Sequence, residues 1–207
     1  MGGDSREEKR VTAALDLPAL RDERDWTTDD LASLPEGLRY ELIDGRLILP
    51  SPNGIHQKLG YKLTQALEEN CPPGYDAVSD YSLAVDRSNE PRPDVVVVHE
   101  SVMALTPAPI EKALLVLEII SPTSHFRDMH AKTKFYAAAG VDYYWIVDPT
   151  GDGGVTLTVL HVGRTGAYET VLNTDKVFNT DVPYPITVDL PALTALRDKY
   201  LAAQEGA

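Results

Sequence analysis

The chain has a single cysteine, Cys71, in 207 residues. No internal disulfide can form, which argues against a disulfide-built secreted scaffold and fits a reducing cytoplasm. Cys71 sits beside Pro72-Pro73 with no activating neighbour in sequence and reads as structural. No apolar stretch approaches the roughly 20 residues of a membrane-spanning helix. Met1 to Arg10 is charged and lacks the apolar core of a signal peptide, and Arg6 stands where a myristoylation motif wants Ser or Thr. The expectation is a cytoplasmic protein with no membrane partner. Positive charge is scarce: 19 Lys and Arg face 32 Asp and Glu, for a net charge of −13. That balance predicts solubility and weak non-specific affinity for nucleic acid. It leaves room for an enzyme with a local basic patch. Walker, GxGxxG and GxSxG motifs are absent, and His99, His125, His130 and His161 show no HExxH or other metal-ligand spacing. There is no internal repeat and no low-complexity tract.

What is present is an apolar fraction of 43%, enough for a real core. The charge-rich first 25 residues read as a mobile tail, and residues 26–207 as one domain. Thr27 to Asp30 looks like a helix cap before Leu31 and Leu34. Leu38 to Ile43 and Arg46 to Leu49 flank Asp44-Gly45, the strongest short hairpin signal. Ile55, Leu59, Leu63, Ala66 and Leu67 follow helical spacing. Strand-like runs cover Asp76–Ser79, Ser82–Val85, Asp94–His99 and Ala113–Ile120, and Ser121 to Ser124 breaks the last of these. A helix is predicted over Asp128–Ala139 with Ala131, Phe135 and Ala138 inward, stopped by Gly140. Strands follow at Tyr143–Val147, Val155–Val162, Tyr168–Leu172 and Ile186–Val188, then a helix over Leu193–Leu201. The pattern is a mixed α/β domain with a strand–helix–strand unit over 113–148. Tyr143-Tyr144-Trp145 reads as core or interface, because it lies inside an apolar strand.

Chemistry concentrates in three places. Asp94, after Pro93, opens the apolar run Val95–Val98. Glu118 closes the run Leu114–Leu117. Carboxylates at the ends of buried strands need partners. If the two strands are neighbours, carboxylates about 4 Å apart repel by roughly 4 kcal/mol at an effective dielectric near 20. A divalent cation or a shared proton removes that penalty. Lys132 shares a helical face with Asp128 and Tyr136, and a helix returning across the Glu118 strand would deliver its ammonium to the carboxylates. Two acidic strand ends and a lysine are the minimum equipment for metal-assisted phosphodiester hydrolysis. Plainer readings stand beside this one. Asp94 is also a turn aspartate, Glu118 a buried ion pair with Lys112, Arg127 or Lys132, and Lys132 a surface partner of Asp128. Glu41 shares a strand face with Ile43, turned toward a site or half exposed. His56, starting the next helix, is a candidate for phosphate contact or proton transfer.

Taken together, these residues resemble the Uma-type putative restriction endonuclease family of the PD-(D/E)XK nuclease superfamily. The resemblance rests on Tyr40-Glu41-Leu42-Ile43-Asp44-Gly45, His56, Arg92-Pro93-Asp94-Val95-Val96-Val97, Leu117-Glu118-Ile119-Ile120-Ser121-Pro122, Asp128 with Lys132 and Tyr136, and Ala139 to Asp148. It spans roughly residues 26–190. It implies a restriction-endonuclease-like core, with a central mixed sheet flanked by helices. It implies a Mg²⁺ or Mn²⁺ ion held by Asp94, Glu118 and the backbone carbonyl of Ile119, with Glu41 as an additional acidic residue. The superfamily lysine two residues after the glutamate is replaced by Ile120, and the resemblance assigns its role to Lys132. A nucleic-acid substrate, DNA first, and a homodimer follow from the same resemblance, with the apolar Tyr143–Val147 strand as a candidate dimer face. The competing expectation is a non-catalytic binding or regulatory module on the same fold, which the acidic charge favours. A glycosidase using paired carboxylates has no motif support.

Overall fold

Two central apolar runs organise the structure, a computed structural model that describes residues 25–121 and 126–206. The tail expected over 1–25 lies almost wholly outside the described residues, as do Pro122 to Ser124 of the strand breaker and the side chains of Arg127 and Asp128. In chain order the elements are α1 (Thr28–Leu31), β1 (Glu41–Ile43), β2 (Arg46–Ile48), α2 (Gly54–Glu68), β3 (Tyr75–Ser79), β4 (Leu83–Ala84), β5 (Val95–His99) and β6 (Ala108–Pro109). They continue with β7 (Ala113–Ile119), α3 (Phe126–Ala138), β8 (Tyr143–Asp148), β9 (Thr156–Val162), β10 (Tyr168–Thr174), β11 (Val177–Thr180), β12 (Ile186–Asp189) and α4 (Leu190–Glu205).

Six strands form a mixed sheet in the order β10-β9-β8-β7-β5-β3. β7 and β8 are parallel, joined by α3, and the other neighbours run antiparallel. Alternation divides each central strand between two cores. Val95, Val97, Leu115, Leu117 and Ile119 pack in one core with Leu59, Leu63 and Leu67 of α2, Leu190 and Leu193 of α4, and the β11–β12 hairpin. Val96, Val98 and Val116 pack in the other with Phe135 and Tyr136 of α3. Eight apolar side chains of β5 and β7 are buried: Val95 to Val98, Leu115 to Leu117 and Ile119. At about 1.5–3 kcal/mol each, they outweigh the several kcal/mol per ion that an acidic group and its partner cost in the same strands.

Local rules explain the segments that frame the site. The Asp30 carboxylate accepts bonds from the Thr27 amide and hydroxyl at 2.9 and 2.7 Å, capping α1. The β1–β2 turn places Asp44 at φ 47° and Gly45 at φ 70°, the left-handed pair that a two-residue hairpin needs. Leu42 and Glu90 exchange backbone bonds of 3.0 and 2.9 Å, which dock the hairpin and set the position of Glu41. Asn53 caps α2 by accepting from the His56 amide at 2.9 Å.

Three expectations are corrected. Ala138 is exposed; the inward face of α3 instead centres on Lys132, Phe135 and Tyr136, and at 3.6 residues per turn Ala138 falls beside it. Tyr144, Trp145 and Val147 are fully buried within the chain, and β8 lies between β7 and β9, so this strand offers no dimer face. The last helix begins at Leu190, where Asp189 accepts the Ala192 amide at 2.9 Å, rather than at Leu193. Among the described residues no helix is long and apolar enough to cross a membrane.

Candidate active site

Strand register brings the two acidic strand ends together. Val95 pairs with Leu117 and Val96 with Val116. One step further sets Asp94 opposite Glu118, where side chains on neighbouring antiparallel strands start about 4.5–5.5 Å apart at Cβ. β5 begins at Val95, so the Ile119 amide of β7 lacks a ladder partner on that side. The Asp94 side chain supplies one: Oδ2 accepts from the Ile119 amide at 2.6 Å. Its other oxygen, Oδ1, lies 2.7 Å from Nε2 of His56 in the first turn of α2. His56 therefore meets Asp94 directly, a contact the sequence does not reveal.

Glu118 and Lys132 are 4% and 6% exposed, so each needs the other. Lys132 Nζ donates to Glu118 Oε1 at 2.9 Å and to Glu41 Oε1 at 3.1 Å. Tyr136, one turn along α3, donates to the same Glu118 oxygen at 3.1 Å. Glu41 Oε1 also accepts the Arg92 amide at 3.2 Å, so the first hairpin is tied to the segment leading into Asp94. Of the alternatives for Glu118, the partner is Lys132; Lys134 is exposed on the outer side of α3.

Charge in this cluster is unbalanced. Three carboxylates, from Glu41, Asp94 and Glu118, surround one ammonium. Burial is the main force pushing the Glu118 carboxyl up, Lys132 opposes it, and Asp94 and Glu41 add to it; the result is about 8. Burial alone would lower the Lys132 pKa, but Glu118 and Glu41 outweigh it and hold the ammonium protonated above the usual lysine range. Burial, then Glu118, keeps the Tyr136 phenol protonated and a donor. The balance shifts Glu118 toward its protonated form.

These groups face a cavity of about 780 Å³. Its wall carries the cations Arg39, Arg92 and Lys132 beside the acidic residues. Arg39 pairs with Asp80 at 2.8 Å, and Arg92 donates to the Asp80 carbonyl at 2.8 Å. Asp80 holds a left-handed backbone at φ 55°. Arg39 and Asp80 escape a reading of the sequence because no periodicity or motif marks them.

Among the described residues, no three His, Cys, Asp or Glu side chains converge as a self-sufficient metal cluster. The donors that face the cavity nevertheless fit a small hard cation. Asp94 and Glu118 offer carboxylate oxygens, and Mg²⁺ is commonly held by one or two carboxylates with water and substrate completing its shell. The described hydrogen bonds to the Glu118 carboxyl fall on Oε1 and leave Oε2 to a ligand. A dication would offset both the burial of the Glu118 carboxylate and its repulsion by Asp94 and Glu41. Glu41 lines the same cavity and is engaged through Oε1 with Lys132 and the Arg92 amide.

Comparison with known proteins gives two findings. The sequence model of the Uma2 family, described as "Putative restriction endonuclease", matches residues 28–186. A crystal structure of a putative nuclease belonging to DUF820 from Anabaena variabilis superposes with a TM-score of 0.62 at 18% identity, covering 83% of this chain and 98% of that one. At that identity the likeness speaks for the fold. No curated protein matches the chain.

Proposed function

The chain belongs to the Uma2 family, and from that premise we propose that it is a nuclease hydrolysing nucleic-acid phosphodiester bonds with a divalent cation at the Asp94–Glu118 pair. One observation carries the reading: two carboxylates from adjacent strand ends face a cavity beside a buried ammonium bonded to Glu118 and Glu41. The residues that would hold Mg²⁺ or Mn²⁺ are Asp94, Glu118 and the Ile119 carbonyl. A divalent ion bound there polarises a phosphodiester oxygen and makes its water more acidic.

The protein's own groups supply the rest. The Ile119 amide and His56 fix both oxygens of Asp94, so this ligand needs no reorganisation. His56 acts through Asp94 as a positioning residue. Lys132 has three N–H donors and spends two on Glu118 and Glu41 in the described bonds, which leaves one for a substrate phosphate oxygen. Held protonated at all ordinary pH, it stabilises negative charge developing on the phosphate. Glu41 keeps that ammonium in place, and Tyr136 orients Glu118.

The competing reading, a binding module on the same fold, calls for a uniformly acidic surface over the pocket. Arg39 and Arg92 on the cavity wall count against it. The test is cleavage of labelled DNA and RNA in Mg²⁺ and Mn²⁺. Wild type is expected to cleave, and Asp94→Ala and Glu118→Ala to lose cleavage while keeping the fold by circular dichroism. Cleavage retained in either variant would sink the assignment.

A further inference from the structure

The α2 wall of the cavity carries features that the hydrolysis itself does not use. The inward stripe of α2, Leu59, Leu63 and Leu67, is buried in the core. A second stripe at helical spacing, Gln57, Gly60, Tyr61 and Thr64, lines the cavity. Tyr61 lines the cavity and is 55% exposed. Nζ of Lys58 and of Lys62 each lie over its ring, 5.6 and 5.7 Å from the centroid. An exposed aromatic ring with two mobile ammonium groups within reach combines the base-stacking surface and the phosphate-binding charge that single-strand binders use.

The helix sets the distance. Tyr61 follows His56 by five residues, about 7–8 Å along the axis at 1.5 Å per residue. His56 touches Asp94 and Tyr61 lines the same cavity, so the ring stands on the wall of the space in which the reacting phosphate would sit. The volume adds a constraint. A cavity of about 780 Å³ falls in the roughly 300–1,000 Å³ range of small-ligand sites. It is large enough to take in a nucleotide or two. The net charge of −13 also disfavours the broad electrostatic capture that duplex binders use.

Resting on the nuclease reading above, we propose that the substrate is single-stranded nucleic acid, with a base next to the scissile phosphate stacked on Tyr61 and the adjoining phosphates met by Lys58 and Lys62. The recognition is of a base face and a phosphate chain, so single-stranded DNA and RNA are both candidates and are separated by the test.

The experiment uses the full chain with labelled single-stranded DNA, single-stranded RNA and a DNA duplex of the same sequence. It measures binding by fluorescence anisotropy and Mn²⁺-dependent cleavage. At least one single strand is expected to bind and be cleaved about tenfold better than the duplex. Stacking is worth about 1–3 kcal/mol per base by alanine substitution, so Tyr61→Ala should raise KM by roughly 5- to 150-fold with kcat little changed. Tyr61→Phe keeps the ring and should retain wild-type KM. Tyr61 is exposed, so neither change threatens the fold. Cleavage of the duplex as well as the single strands, or a Tyr61→Ala enzyme with unchanged KM, overturns the inference and leaves the nuclease reading standing. No binding and no cleavage in any arm overturns both.

Discussion

Glu118→Gln is the change whose consequences follow most directly from the burial of this carboxyl among like charges. In the folded protein the Glu118 carboxyl is pushed up to about 8, against an ordinary value of 4.5. Between these values the folded state holds a proton that the unfolded state has released. Stability therefore falls as pH rises through this window, at no more than about 1.4 kcal/mol per pH unit, and levels off above the folded value. Lys132 stays protonated throughout and adds no slope there. Over pH 6–8 the wild type should lose about 2–3 kcal/mol. The Glu118→Gln variant, whose amide is neutral at every pH, should not lose it. For a domain of this size that is a difference of roughly 4–12 °C in Tm. The assay is urea denaturation of both proteins in chelator-containing buffer at pH 6, 7 and 8. Mn²⁺ should flatten or reverse the wild-type slope, because it binds the ionised carboxylate, and leave the variant unchanged. Parallel pH dependences for wild type and Glu118→Gln would refute the reasoning.

Two further changes probe the frame around that carboxylate. Lys132→Met removes the ammonium shared by Glu118 and Glu41; breaking such a buried pair costs about 3–5 kcal/mol, less whatever Glu118 recovers by taking a proton. Urea midpoints should fall accordingly, and cleavage should drop at least about a hundredfold; a variant with wild-type turnover would contradict its role. Gly45→Ala places a Cβ at φ 70°, 3.2 Å from Asp25 Cβ and 3.3 Å from the Trp26 carbonyl oxygen. A loss of more than about 1 kcal/mol is expected, with reduced cleavage because the same hairpin carries Glu41; an unchanged midpoint would show that the turn does not hold the hairpin.

How far the sequence could be read depended on the range of the interactions involved. The Asp44-Gly45 hairpin was legible because its left-handed backbone is a property of two adjacent residues. The runs Val95–Val98 and Leu114–Leu117 announced buried strands, and Gly140, at φ 80°, ended α3 where its type predicts. The pairing of those strands is a tertiary fact, and only the register sets Asp94 opposite Glu118. The same limit hid the His56–Asp94 contact, which joins positions 38 residues apart. Strands β6 and β11 left no readable pattern. β6 has two residues, and β11 has four of which only Phe178 is buried, its ring 5.4 Å from that of Trp145. Tyr61 did leave a trace: it is an aromatic off the apolar stripe of a strongly periodic helix, and an aromatic in that position asks for a ligand or an exposed face.

The central claim is that Asp94 and Glu118 form a divalent-cation site, and it can be tested without knowing the substrate. Mn²⁺ is titrated calorimetrically into the wild-type protein, Asp94→Ala and Glu118→Ala. The wild type should bind one Mn²⁺ per chain, with protons released at neutral pH as Glu118 ionises, and neither variant should bind it. Absence of binding in the wild type, or binding that survives both substitutions, would contradict it.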